Sequence, residues 1–93
     1  METKIAKSHF VYILESADGK YYTGYTIDLE QRMKSHQTGK GSKFIRAFGF
    51  GKLLYHEKYL TKSEAMKREA EIKRLNRAEK EKLILKSSAI NKK

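Results

Sequence analysis

The chain has 93 residues, 39% hydrophobic and 34% charged, with a formal net charge of +10. That length supports one hydrophobic core, because either half would bury too little surface to fold alone. The absence of cysteine excludes a disulfide framework, a thiolate metal site and a cysteine nucleophile, and no run reaches the ~18–20 apolar residues of a membrane span.

A single domain over 1–93 is expected, with a core at 8–86 and residues 87–93 as a disordered tail. The opening METKIAKSHF has no apolar stretch of the kind a signal peptide needs, so the expected location is cytoplasmic, with no membrane partner. Charge is uneven: residues 1–30 sum to −2, while 31–60 and 61–93 each sum to +6. A basic surface of this kind attracts polyanions, nucleic acid foremost.

HFVYILE (9–15) is β-branched and aromatic, and Asp18-Gly19 is a hairpin turn signal before KYYTGYT (20–26). Alternation places Phe10, Tyr12 and Leu14 on one face and Val11 and Ile13 on the other; Tyr22 and Gly24 share a face on the second strand. Asp28 and Gln31 form a capping-box pattern, and Gly39 suits a helix end, which predicts a helix over 29–37. GKGSKFIRAFGFG (39–51) carries four glycines with Lys40, Lys43 and Arg46, and reads as a mobile basic loop with one helical turn around 43–48. KLLYHEKYL (52–60) reads as a third strand. The pairs Thr61/Glu64 and Asn76/Glu79 then open helices over 62–75 and 77–86. The fold class is therefore α+β: a small three-stranded antiparallel sheet flanked by helices in the order β-β-α-(α)-β-α-α.

Several polar residues fall where apolar ones belong. On the first helix Leu29, Arg32, Met33 and His36 share one arc, and on the next long helix Glu69 sits among Ala65, Met66, Ala70 and Ile72. Unpaired buried charge is costly, so these groups either pair internally, as an Arg32–Glu69 bridge with His36 beside it, or serve a ligand. Tyr12 and Tyr22 project from adjacent strands, and Gly24 leaves space beside them for a backbone or ligand.

With these residues in view, the chain resembles the GIY-YIG nuclease superfamily, which includes the nuclease module of bacterial excision-repair incision proteins. Phe10-Val11-Tyr12 stands at the first motif, Tyr22-Thr23-Gly24 at the second, Arg32 with His36 at the helix motif and Arg68-Glu69 at the later glutamate. Phe10 replaces the name motif's Gly, and Thr23 its Ile. The likeness covers about residues 8–84 and is closest to the small stand-alone bacterial branch.

The resemblance implies a metal-dependent DNA endonuclease that leaves 5′-phosphate and 3′-hydroxyl ends, structure-selective and linked to DNA repair or recombination. It implies one Mg²⁺ or Mn²⁺ held by Glu69, weakly in the absence of DNA. Tyr12 would be the general base, Tyr22 would orient water or phosphate, Arg32 would clamp the charge of the transition state, and His36 would lie beside the water or phosphate. Lys40, Lys43 and Arg46 would contact backbone phosphates without reading bases. Many members carry a separate DNA-binding domain, so a protein partner supplying specificity is also expected. The alternative is a non-catalytic nucleic-acid-binding module with a nuclease fold that needs a partner.

Overall fold

In the computed structural model, which describes residues 8–40 and 42–91, the run VYIL becomes the middle of the central strand. β1 (His9–Ser16) pairs antiparallel with β2 (Tyr21–Thr26) on one side and β3 (Phe50–Tyr59) on the other, giving the order β2-β1-β3. Val11 through Leu14 are fully buried. A strand covered on both faces takes a continuous apolar run where a half-exposed strand would alternate.

Two helical layers do the covering. Val11 and Ile13 pack with Ala65 and Ile72 of α3 (Lys62–Lys73) and with Leu83 and Ile84 of α4 (Arg77–Asn91). Tyr12 and Leu14 face the other way, onto Leu29 and Met33 of α1 (Leu29–Gln37) and Phe44 and Ile45 of α2 (Lys43–Phe48). The sheet, its hairpin and the element order are those the sequence predicts.

The capping signals act as read. Asp28 accepts from the Gln31 N–H at 3.0 Å, and Asn76 and Glu79 cap each other's backbone N–H at 2.9 Å. The bounds of β3 and the ends of α3 and α4 differ. β3 starts at Phe50, two residues early, where register shifts against β1 bring backbones close: a Cβ on Gly51 would lie 2.6 Å from the Glu15 carbonyl oxygen. The helical turn expected around 43–48 within the basic loop is a defined helix over those residues, capped by Ser42 accepting from the Ile45 N–H. α4 runs on to Asn91, which corrects the expected disordered tail for residues 87–91; with no Gly or Pro after Gly51, nothing local stops the helix. The expectation for residues 92 and 93 lies outside the described residues.

A polar knot ties α3 to the sheet. Glu57 of β3 accepts from Arg68 Nε at 2.9 Å, from Tyr59 Oη at 2.5 Å and from the Tyr55 hydroxyl, while Arg68 also reaches Glu71 at 3.1 Å. Burial would raise the Glu57 carboxyl pKa, but the bonds from Arg68, Tyr55 and Tyr59 outweigh it and hold it below the ordinary 4.5. The unfolded chain therefore takes up the proton first. This contribution to stability is complete above pH 4.5 and is lost as pH falls through the lower folded value. Glu57→Gln is expected to cost about 1–3 kcal/mol at neutral pH and to flatten the acid arm of the melting profile. Thermal melts of both proteins from pH 7 to pH ~3 check this; an acid arm unchanged in the variant would sink it.

Candidate active site

The β1–β2 register sets Tyr12 opposite Gly24 and Leu14 opposite Tyr22, so both tyrosines rise on the face that α1 and α2 cover. α1 brings His36 down between them. The Tyr12 hydroxyl and His36 Nε2 are hydrogen-bonded at 2.9 Å, and the His36 ring lies 5.8 Å from each tyrosine ring, edge-on. Phe50 stacks on the imidazole at 6.3 Å. Tyr12 and Tyr22 are themselves 6.2 Å apart.

Gly24 makes this cluster possible. A Cβ there would stand 2.5 Å from Tyr12 Oη and 2.6 Å from its Cζ, so the phenol lies directly across the glycine.

Burial divides the set in two. Tyr12 and His36 have no exposed surface, whereas Tyr22, Arg32 and Glu69 are partly exposed. Burial, and then the neighbouring Tyr22 hydroxyl, push the Tyr12 pKa far up; Arg32 pulls it down and Glu69 adds to the rise. Arg32 of α1 and Glu69 of α3 thus both act electrostatically on the same phenol. Burial, and then Arg32, lower the His36 pKa, so the imidazole is neutral at pH 7. Its Nδ1 is buried and has no partner among the described residues.

The internal Arg32–Glu69 bridge, one of the two ways the sequence offered to settle these charges, does not form. Among the described residues Glu69 pairs with Lys73 at 3.4 Å, its side chain 17% exposed, and Arg32 makes no ion pair. Arg68 of the Arg68-Glu69 motif turns away to Glu57. Among the described residues no three or more His, Asp or Glu side chains gather closely enough to hold a metal by themselves. Glu69 fits Mg²⁺ or Mn²⁺ in one way only: as a single hard oxygen donor, leaving the remaining positions to water and substrate oxygens. Lys73 must then give up its contact.

Lys40, Lys43 and Arg46 are exposed. The latter two lie one turn apart on α2, which has no acidic residue in its first turn.

Sequence reasoning missed three neighbours. Lys73 stands four residues after Glu69, a spacing legible as a helical ion pair. Phe44 and Phe50 lie within the glycine-rich stretch, but only the tertiary placement of α2 and the start of β3 brings their rings to Tyr22 and His36.

The sheet order, the paired tyrosines and the helix arginine and histidine define a compact nuclease-type fold, and comparison with known proteins agrees. The model of the GIY-YIG catalytic domain matches residues 8–82, and the chain belongs to the GIY-YIG family, a family of nucleases in general. Within it the chain is similar to the small UPF0213 proteins. One from Oceanobacillus iheyensis is 51% identical over 78 residues, covering 84% of this chain and 91% of the relative. The solution NMR structure of a UPF0213 protein from Bacillus halodurans is 47% identical with a TM-score of 0.54, over 83% of this chain and 82% of that one. A solution NMR structure of an E. faecalis protein is 41% identical with a TM-score of 0.60, over 97% and 93%. Among the described residues no helix is long and apolar enough to cross a membrane.

Proposed function

We infer that this protein is a divalent-metal-dependent DNA endonuclease of the cytoplasm, cutting one strand to leave 5′-phosphate and 3′-hydroxyl ends, with a role in DNA repair or recombination. The observation that carries the reading is the cluster of two phenols, a neutral histidine and an arginine from β1, β2 and α1 about the Tyr12 hydroxyl, with the partly buried Glu69 carboxylate of α3 near enough to act on that hydroxyl electrostatically.

Differences in burial support distinct roles. Tyr12 is enclosed and its proton strongly held, so the base expected at Tyr12 passes to Tyr22, the phenol with solvent contact. Tyr22, as phenolate, takes a proton from the attacking water as the water oxygen bonds to phosphorus; the P–O3′ bond breaks, the 3′ oxygen takes a proton from solvent, and Tyr22 gives its own back to solvent. His36 fixes the Tyr12 hydroxyl, which with Arg32 offsets the charge near Tyr22. Arg32 presents its planar fork to the phosphate oxygens as negative charge builds on them. Glu69 is the residue that would hold the divalent ion, which supplies charge neutralisation at the phosphate when bound. Lys40, Lys43 and Arg46 hold the strand by its phosphates and give a steep salt dependence.

A second reading, a binding module that needs a partner before it turns over, draws on the Lys73 contact that covers Glu69. The discriminating experiment is cleavage of an end-labelled panel of single-stranded, duplex, flap and four-way-junction DNA with Mg²⁺ or Mn²⁺. Glu69→Ala is expected to lower cleavage by at least about 10²-fold with little change in DNA affinity or melting temperature. Binding without cleavage by the wild type, across the panel and with both ions, moves the conclusion to the second reading.

A further inference from the structure

An aromatic path leads out of the site. From His36 the rings continue to Tyr22 at 5.8 Å, to Phe44 stacked on Tyr22 at 5.2 Å and 30°, and to Phe48 at 5.0 Å from Phe44. The first ring is buried, and the last is 39% exposed. Cations border the path: Lys20 Nζ sits 5.0 Å from the Phe48 centroid, and Lys43 and Arg46 project from the same short helix. Packing inside the fold accounts for Phe44, which joins the core under α2. It does not account for Phe48, a large ring left at the surface with an ammonium over it.

We propose that Phe44 and Phe48 form a stacking platform for unpaired bases of a single-stranded DNA segment flanking the cut, with Lys20, Lys43 and Arg46 taking its phosphates. The inference rests on the nuclease reading and names its substrate class. A ring stack beside cations is the arrangement that binds single strands without sequence preference, because every base has a face to offer and the backbone follows the charge. A base inside a duplex already has both faces covered and cannot use it. Lys20 is half-exposed and loosely held, with Asp18 at 3.4 Å. An incoming base can take its place over Phe48, and the freed ammonium then meets the adjoining phosphate. The ring path also sets polarity of placement: the stacked bases lie on the α2 side of Tyr22, and the scissile phosphate lies at Tyr22 and Arg32.

The test is equilibrium binding in EDTA of a roughly twelve-nucleotide strand carrying 2-aminopurine, and of its duplex, to wild type, Phe48→Ala and Phe48→Trp. Phe48→Ala is expected to weaken single-strand binding about tenfold and to abolish the fluorescence quenching that stacking causes, leaving duplex affinity unchanged. Phe48→Trp should restore both. Because Phe48 is partly exposed, melting curves of the variants should stay close to wild type. Equal losses on single strand and duplex, or unaltered quenching in Phe48→Ala, would overturn the platform. So would an RNA strand that binds far more tightly than DNA at matched salt. Cleavage of single strands separates the two readings. Cutting by a wild type that shows no stacking keeps the nuclease and removes the platform, while stacking with no cutting of any DNA keeps a base-binding surface and removes the nuclease.

Discussion

Tyr22→Phe is expected to lower strand cleavage by about 10²–10⁴-fold, and Tyr12→Phe by clearly less, although Tyr12 is the more deeply buried of the two. The order follows from electrostatics. The Tyr12 hydroxyl has no exposed surface and is bound to His36 at 2.9 Å, and burial and the adjacent Tyr22 both oppose its ionisation. Tyr22 meets solvent, and Arg32 lies on the same side of the sheet. Single-turnover rates at saturating DNA, with melting curves of both variants beside them, read this order. A folded Tyr12→Phe protein that is slower than Tyr22→Phe would return the base role to Tyr12.

Much of this geometry could be read from residue order. The Asp28/Gln31 cap and Gly39 delimit α1 at the residues observed, because both signals act on local backbone groups. Alternation along VYIL and YYTG places Tyr12, Tyr22 and Gly24 on one face, because the period of a strand is fixed. The stripe of Arg32 and His36 among Leu29 and Met33 likewise marks them as pointing inward. What residue order leaves open is which layer covers which face. Burial of all four residues from Val11 to Leu14 requires helices on both sides of the sheet, and that depends on long-range packing. The same contacts decide that His36 is sealed at Tyr12 while Arg32 stays partly exposed, one turn away on the same helix. Glu69 shows the limit most clearly. Its inward position and the i, i+4 lysine are both legible, but that Glu69 pairs with Lys73 and not with Arg32 depends on how α1 and α3 pack on the sheet.

Gly24→Ala is expected to destabilise the fold by roughly 1–3 kcal/mol and to abolish cleavage as well. The added methyl would stand 2.5 Å from Tyr12 Oη, 2.6 Å from its Cζ and 3.0 Å from Tyr22 Cε2. Such a contact is cheap where the neighbour is a free side-chain end, but Tyr12 is fully enclosed and hydrogen-bonded to His36. Either the ring tilts and gives up the imidazole, leaving a second buried His36 nitrogen without a partner, or β2 moves away from β1 and takes Tyr22 with it. Both routes break the site before they unfold the protein. For a domain of this size the stability loss corresponds to about 4–8 °C in Tm per kcal/mol, readable by calorimetry. Adding Tyr12→Phe should bring no relief, because Cζ remains at 2.6 Å after the hydroxyl is gone. If the double variant melted at the wild-type temperature, the hydroxyl alone would be the obstacle. If Gly24→Ala melted and cut like wild type, the glycine would owe nothing to the phenol that crosses it.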